Sequence, residues 1–246
     1  MTMLAIIGGT GLTTLNGLVI TEKRVVSTPF GEPSSELLIG EFQNKPVIFL
    51  PRHGEQHRIP PHRINYRANI WALKEQGVNK IVAVAAVGGI RDDMAPGVIA
   101  VPDQIIDYTH GREQSFFSED FTSDKHIDFT HPYDDMLRQH ILNAGKQQVL
   151  EIVNGGTYGA VQGPRLETAA EIKRMAHDGC AMVGMTGMPE ACLARELDIA
   201  YATCALSANW AAGLSDKEIT MAEIEQTVAN GMSRIKKILS ALIPSP

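Results

Sequence analysis

Short apolar runs alternate along this chain with longer segments in which apolar residues recur every three or four positions. Each run is rich in Val, Ile and Ala and has the length of a buried strand. The predicted strands are Met3–Ile7, Pro46–Leu50, Lys80–Ala86, Val98–Ile106, Gly156–Val161, Ala181–Met185 and Ile199–Leu206. The predicted helices cover about Arg63–Gln76, Asp134–Leu150, Leu166–His177, Met188–Leu197 and Met221–Leu242. This alternation predicts an α/β fold, with a mostly buried sheet covered by helices.

Length and composition favour one domain and a small ligand. The 246 residues contain no Pro/Ser-rich linker and no low-complexity block, so we expect a single domain over residues 1–246. Hydrophobic residues make up 44% and charged residues 20%, which supplies an ample core. The net charge of -6 argues against nucleic acid or an anionic membrane as a partner.

The cysteines and the first residues predict a cytoplasmic protein. Cys180, Cys192 and Cys204 lie in apolar surroundings without C-x-x-C spacing, so they read as reduced core residues. The segment MTMLAIIGG carries no basic region and no small-residue cleavage site, and its apolar run is too short to span a bilayer.

Two turns that follow predicted strands have residues suited to an anion. Gly8-Gly9-Thr10-Gly11 offers backbone N–H groups and a hydroxyl, although a tight turn without a ligand explains it equally well. It lacks the third glycine of a dinucleotide fingerprint and the Gly-Lys-Ser/Thr of a P-loop. Arg52 and His53, in the turn Arg52–His57, can hold phosphate oxygens by charge-assisted hydrogen bonds. His53 and His57 as metal ligands lack a third partner, and a solvated basic turn remains an alternative.

The segments AVQGPRLETAAE (Ala160–Glu171) and VGMTGMPEA (Val183–Ala191) place a carboxylate, a thioether and a hydroxyl close together along the chain. Glu167 can accept two hydrogen bonds from a flat heterocycle, Met185 is apolar without a donor, and Thr186 can donate to an anion. Together they indicate a nucleoside site. Taken alone, the same residues also fit a plain turn at Gly163–Pro164 followed by a helix and a buried strand.

The segment Tyr108–Tyr133 is polar, aromatic and rich in Asp and His. It is too long for a plain connector in a compact domain. Long segments of this kind are usually functional or belong to an interface.

Six blocks, in the same order, resemble the trimeric purine nucleoside phosphorylase and methylthioadenosine phosphorylase family. They are IIGGTGL, TPFGEPS, RHGEQH, NYRANIWALKEQG, GPRLETAAE and VGMTGMPE. The similarity runs from about residue 4 to residue 242. Within the family, GMTGMPEA and ITMAEIEQ are most similar to the bacterial branch that acts on S-methyl-5'-thioinosine.

The resemblance implies an α/β domain with a distorted central sheet, active sites at the interfaces of a homotrimer, and phosphate as co-substrate without a metal or cofactor. The phosphate site it implies consists of Thr10, Arg52, His53, the backbone at Ala85 and Ala86, and Thr186. It also implies that Met185 lies against the ribose and that His126 reaches a neighbour's site. Many relatives carry Asn where this chain has Ala85, so only main-chain contacts remain there.

Base recognition follows from donors and acceptors. Hypoxanthine offers an N1–H donor with O6 and N7 acceptors, whereas adenine offers an N6 donor with N1 and N7 acceptors. An ionised Glu167 suits N1–H. Relatives that act on 6-aminopurines have aspartates at the positions of Asn209 and Ala211, and both carboxylates are absent here. The Asn209 amide can donate to O6 or N7, so we expect a 6-oxopurine.

The segment Thr220–Val228 indicates which 5' group of the nucleoside is accepted. In it, Met221, Ile224 and Val228 share a helical face. All eight histidines lie at or before His177, so this helix lacks the imidazole that 5'-hydroxyl-preferring relatives use. An apolar pocket for a 5'-methylthio group, with Met221 at the sulfur, fits this face within the family. A core-facing stripe is the alternative.

The expected reaction is phosphorolysis to hypoxanthine and 5-methylthioribose 1-phosphate. The phosphate would be held beneath C1'. Asn209 and Glu167 would stabilise the charge on the departing purine. A methylthioadenosine phosphorylase or a general inosine/guanosine phosphorylase are the near alternatives. A nicotinamide oxidoreductase and a non-catalytic nucleoside-binding protein are the distant ones.

Overall fold

A mixed β-sheet organises this protein, whose computed structural model describes residues 3–8, 17–216 and 218–243. The strands are β1 (Leu4–Gly8), β2 (Leu18–Arg24), β3 (Leu37–Phe42), β4 (Lys45–Pro51), β5 (Lys80–Gly89), β6 (Ile99–Val101), β7 (Gln104–Asp107), β8 (Val153–Asn154), β9 (Thr157–Ala160), β10 (Cys180–Gly184) and β11 (Ala200–Trp210). The helices are α1 (Tyr66–Glu75), α2 (Asp135–Gln147), α3 (Ala169–His177), α4 (Gly187–Glu196) and α5 (Met221–Leu242). The main path of the sheet runs β2-β3-β4-β1-β5-β10-β9-β7.

The sheet branches at β5. The first half of β5 pairs in parallel with β1 on one edge, while β11 pairs along the other edge. Beyond the end of β1, Gly88 and Gly89 pair antiparallel with β10, which continues to β9 and β7. On the other branch, β11 pairs with β6, and β6 pairs with β8. The expected distorted, mixed and mostly buried sheet is therefore confirmed.

Both faces of the sheet are covered by helices. On β1, Ala5 and Ile7 pack into a core shared with Ile70 of α1 and Leu193 of α4. The alternate residues Leu4 and Ile6 pack into a second core with members of α2 and α5. This period-two division explains why the strands appear as continuous apolar runs in the sequence. The cysteines are free and buried, as expected.

All five predicted helices are present, and polar caps account for their starts. The side chains of Asn65, Asp134 and Thr220 accept from backbone N–H groups at the starts of α1, α2 and α5. Thr168 and Glu171 form a capping box, so α3 starts at Ala169 and not at the predicted Leu166. No helix in the described ranges is long and apolar enough to cross a membrane.

Three strand predictions differ from the structure. The run Val98–Ile106 was expected to be one strand, but it forms β6 and β7, which pair with different partners. Pro102, which has no N–H to donate, and Asp103, whose Oδ1 accepts from Gly156 N at 2.8 Å, separate them. The short β8 and the hairpin of β2 and β3 were not predicted, since most of β2 is solvent-accessible and lacks an apolar run.

The carboxyl ends of four parallel strands meet at one edge. β4 and β1 pair with Pro51 beside Gly8, and β5 pairs in the same direction with β1 and β11. Arg52, Ala86 and Asn209 are therefore carried to the same edge, the usual location of ligand sites in open α/β sheets.

Val149 gives a test of local strain. Its side chain is 92% exposed, and its φ is 55°, a left-handed conformation that β-branched residues rarely adopt. Val149→Asn should raise the free energy of unfolding by about 1 kcal/mol, because Asn tolerates this conformation. The control Val25→Asn, 69% exposed and outside the left-handed region, should leave it unchanged in urea denaturation. Equal effects of both substitutions would contradict the strain.

Candidate active site

A buried ion pair lies at the carboxyl edge of the sheet. Arg52 directly follows β4, and its Nε and Nη2 donate to the two carboxylate oxygens of Glu190, each at 2.6 Å. Nη1 donates to the carbonyl of Val84 in β5 at 3.2 Å. The side chains are only 2% and 0% exposed. A guanidinium has five N–H donors, so one N–H on each Nη is left for a ligand.

Tyrosines surround this pair. Tyr201 of β11 donates to Glu190 Oε1 at 2.8 Å, and its ring stacks on Tyr133. Burial alone would lower the pKa of Arg52, but the charge and hydrogen bonds of Glu190 outweigh it and raise the pKa above its ordinary value. Arg52 therefore stays charged, and Glu190 balances the charge. The sequence analysis included Glu190 in a motif but predicted no role for it.

His53 is uncharged, although its position beside Arg52 suggested a second cation for the phosphate. Its Nδ1 lies 2.8 Å from the carbonyl of Ile59. Burial, reinforced by the charge of Arg52, lowers the His53 pKa to about 4. The neutral ring donates its Nδ1–H to Ile59, which leaves a lone pair on Nε2. His53 is thus a neutral hydrogen-bond acceptor at Nε2 and not a second cation.

The two histidines of this turn contact each other. The rings of His53 and His57 lie with centroids 4.4 Å apart and planes tilted by 31°. Across the residues that the structure describes, no group of three or more His, Cys, Asp and Glu side chains is arranged to hold a metal ion.

β5 opens to solvent at one point near this pair. Ala86 is exposed, although its neighbours Ala85 and Val87 are buried. Gly88, which is half-buried, lies on the same face as Ala86 and opposite Asn209 of β11. The phosphate contacts predicted for the backbone at Ala85 and Ala86 would therefore lie on a strand that has a solvent-accessible face.

Thr186 lies between β10 and α4 and is buried, and its N–H donates to the hydroxyl of Tyr158 at 3.4 Å. Gly184 has no room for a Cβ against the same hydroxyl.

The backbone of Met188 is not helical, so Glu190 falls in the first regular turn of α4. A carboxylate is favourable there because the helix dipole is positive at its start.

Gly163 contacts Met185 and lines the same cavity as Glu167. Gly163, with φ 61°, lies so near Met185 that a Cβ would be 2.5 Å from the sulfur. Glu167 is half-buried, and burial raises its pKa. It lines a cavity of about 530 Å³ together with Gln162, Gly163 and Tyr108 among others.

Asn209 lies near the end of β11, and Ala211 directly follows that strand. Ala211 is buried against Val183 and Ile172. Gly213 packs on Ala169, the first residue of α3, which follows Glu167 closely in the chain. The Asn209 amide donates one hydrogen bond to the Trp210 carbonyl at 2.7 Å, so its second N–H is left for a ligand.

The other residues predicted for the site do not lie in contact with the residues described above. Met221 is 62% exposed at the start of α5, Ile224 is half-buried, and Val228 packs against the second core. His126 is exposed and meets the Phe121 ring edge-on at 4.9 Å. Thr10 lies outside the described residues. The roles expected for Thr10, Met221, Ile224 and His126 stay predictions.

Comparison with known proteins identifies the family. A family model described as the Phosphorylase superfamily matches residues 3–244, so the chain belongs to that superfamily and the resemblance is confirmed. The chain is 51% identical, over 99% of both chains, to a probable S-methyl-5'-thioinosine phosphorylase of Pseudomonas syringae pv. tomato. It is 42% identical to the 6-oxopurine nucleoside phosphorylase of Pyrococcus furiosus, over 99% of this chain and 93% of the relative.

A solved structure has the same fold. The methylthioadenosine phosphorylase of Schistosoma mansoni, in complex with adenine, superimposes with a TM-score of 0.92 at 30% identity. The match covers 99% of this chain and 91% of that one.

Removing Glu190 tests the buried pair. Glu190→Ala should lower the free energy of unfolding by about 3–5 kcal/mol, because Arg52 is left buried and uncompensated. The double variant Arg52→Met/Glu190→Leu should be less destabilised than Glu190→Ala. The control Asp93→Ala removes a two-point contact with Arg91, at 2.6 and 2.8 Å, that is exposed to solvent, and it should cost less than about 1 kcal/mol in the same urea titration. Similar losses for Glu190→Ala and Asp93→Ala would contradict the analysis.

The depressed pKa of His53 predicts how stability depends on pH. The folded protein disfavours protonation of His53, so the stability it contributes is present above pH 6.5 and is lost as pH falls toward 4. Between pH 7 and pH 5, His53→Gln should therefore lose less unfolding free energy than the wild type in phosphate-free buffer. Equal losses in the two proteins would show that His53 titrates normally.

Proposed function

We propose that this protein cleaves the N-glycosidic bond of S-methyl-5'-thioinosine with inorganic phosphate. The bond from C1' to N9 of the purine breaks, and a bond forms from a phosphate oxygen to C1'. The products are hypoxanthine, which takes up a proton, and 5-methylthioribose 1-phosphate. The observation that carries this proposal is the anchored guanidinium of Arg52 at the carboxyl edge of the sheet, to which the neighbouring β5 and β11 bring Ala86 and Asn209. Thr186, Glu167 and Met185 are proposed to complete the site.

The phosphate half of the proposal rests on donors that are already fixed. Arg52 offers the two N–H groups that Glu190 and Val84 leave unused, and such paired donors match two phosphate oxygens. The hydroxyl of Thr186 and the accessible backbone at Ala86 would complete the site, with Ala85, His53 and Thr10. Because Arg52 is held by its ion pair, phosphate would meet a preorganised group.

The base half rests on Glu167 and Asn209 as the residues of catalysis. Glu167 would accept from N1–H, and the free N–H of Asn209 would donate to O6 or N7 as negative charge develops on the purine. Ala211 is packed into an apolar cluster, so the wall beside the base carries no second carboxylate for an amino group. The arrangement favours a 6-oxopurine over adenine.

The rest of the site is proposed to come from the family's assembly. Met185 would lie against the ribose, and Met221 and Ile224 would form an apolar wall for the 5'-methylthio group. His126 would reach a neighbouring site in a homotrimer. Exposure of the apolar Met221 side chain and of Phe121 beside His126 supports contact with a ligand or another subunit. We propose a single-domain cytoplasmic enzyme that needs neither metal nor cofactor.

A general 6-oxopurine nucleoside phosphorylase is the second candidate. Relatives with that name, including the Pyrococcus furiosus protein, are 42–43% identical to this chain. The same base site would serve both activities, and only the 5' group separates them. A methylthioadenosine phosphorylase, as in the Schistosoma mansoni structure, would require a different base preference at Glu167 and Asn209.

Substrate choice tests the proposal. Release of free base from methylthioinosine, inosine, guanosine and methylthioadenosine should require phosphate, and methylthioinosine should give the highest kcat/KM. Asn209→Asp should lower turnover of methylthioinosine and favour methylthioadenosine relatively, because a protonated Asp can donate to N7 while accepting from N6–H. Glu167 still opposes adenine N1, so the switch should be partial.

Two results would contradict this assignment. Faster cleavage of methylthioadenosine than of methylthioinosine by the wild type would show that the base is assigned wrongly. No phosphate-dependent release of base from any of the four nucleosides would refute the reaction itself.

A further inference from the structure

Arg112 lies in the polar segment Tyr108–Tyr133, and its half-buried guanidinium reaches main-chain carbonyls of two other segments. Nη1 donates to the carbonyls of Met185 at 2.8 Å and Met188 at 2.6 Å. Nη2 donates to the carbonyls of Gln162 at 2.7 Å and Val161 at 3.2 Å. One planar group thus holds four carbonyls from two distant parts of the chain.

The side chains near Arg112 reinforce this arrangement. The Gln162 amide oxygen accepts from Arg112 Nε at 3.2 Å and from the N–H of His110 at 3.1 Å. The ring of the buried Tyr66 lies under the guanidinium, with its centroid 5.4 Å away, and its hydroxyl lies 3.2 Å from Nη1, where it shares an N–H with the shorter bonds to Met185 and Met188. Among the described residues, no acidic side chain forms an ion pair with Arg112, so its charge is met by carbonyl dipoles.

The two segments that Arg112 joins carry different parts of the proposed site. Met185 and Met188 flank the turn that presents Thr186 to phosphate. Val161 and Gln162 lead directly into the turn that presents Glu167 to the base. The strands β9 and β10 that lead into these segments are paired in parallel, and the N–H of Val161 donates to the Gly184 carbonyl at 2.8 Å. Beyond that bond, Gly163 packs on Met185, a contact that is apolar and has no preferred hydrogen-bond geometry.

We propose that Arg112 is a positioning residue, which sets the distance and orientation between the base-binding and phosphate-binding segments without touching either substrate. This inference rests on the proposed function. Phosphorolysis requires the phosphate oxygen, C1' and the departing purine to be in line. A displacement of about 1 Å between such groups can reduce the rate about 100-fold.

The planar fork is essential to this role. Arg112 uses Nε and both Nη atoms, in directions fixed by the guanidinium plane. A lysine ammonium at the same place keeps the charge but offers three donors from a single point. Arg112→Lys should therefore retain folding while losing the alignment of the two segments.

Arg138 provides a matched control. It lies in α2, is buried, and donates to the carbonyls of Pro102 at 2.9 Å and Val101 at 3.4 Å and to Asn154 Oδ1 at 2.7 Å. Unlike Arg112 it also has an acidic partner, the exposed Asp135, at 2.9 Å. Like Arg112, it joins segments of the chain through carbonyls. Those segments carry none of the proposed site residues, so its loss should cost stability without costing catalysis.

The experiment compares Arg112→Lys and Arg112→Met with Arg138→Lys and Arg138→Met in steady-state phosphorolysis, with thermal unfolding measured in parallel. Arg112→Met should lose about 100-fold in kcat, and Arg112→Lys should lose at least about 10-fold. The Arg138 variants should stay within about twofold of the wild type at a comparable loss of Tm. Added guanidinium, well below denaturing concentrations, should partly restore kcat in Arg112→Ala and leave the wild type unchanged.

Each other outcome has a definite meaning. Retention of wild-type kcat by Arg112→Lys, or a loss no greater than in an Arg138 variant of equal Tm, would overturn the positioning role while leaving the proposed function intact. The lysine variant decides the question if the methionine variant does not fold. If the wild type itself shows no phosphate-dependent release of base, the proposed function fails, and the role of Arg112 fails with it.

Discussion

The buried pair of Arg52 and Glu190 is the interaction on which the site depends. It joins the turn after β4 to the start of α4, and through Val84 and Tyr201 it also fixes β5 and β11. These four elements carry Arg52, His53, Ala85, Ala86 and Asn209 of the proposed site, whereas Glu167 precedes α3. Replacement of such a pair by apolar residues often costs little stability. Its retention here is therefore better explained by the fixed orientation it gives to the guanidinium.

The same pair sets the electrostatics of the site. Glu190 balances the charge of Arg52, and the neutral His53 adds none, so the local field is weaker than a sequence of adjacent Arg and His suggests. Anion binding would then depend on directed hydrogen bonds more than on net charge. Such a site would select its ligands by the directions of its hydrogen bonds, which is consistent with a chain whose net charge is -6. The alignment proposed for Arg112 would matter for the same reason.

Local patterns predicted most of the architecture, and long-range contacts could not be predicted. The runs at β1, β5 and β11 were recognisable because both faces of the sheet are covered. β2 lies at a solvent-exposed edge and gave no comparable signal, and its partner β3, although mostly buried, was missed with it. Arg52 and Glu167 were predicted as site residues from their own chemistry, and Asn209 from comparison with the family. Glu190 was part of a motif, but its partner is 138 residues away in the chain. Arg112 contacts main-chain carbonyls, which every residue has, so the sequence does not show which residues it would contact.

A crystal structure with inorganic phosphate and hypoxanthine bound together would test the central claim most directly. Our account predicts phosphate within hydrogen-bond distance of both Nη atoms of Arg52 and of Thr186, with the ion pair to Glu190 intact. It also predicts hypoxanthine between Glu167 and Asn209. A phosphate bound elsewhere, or one that displaces Arg52 from Glu190, would contradict it.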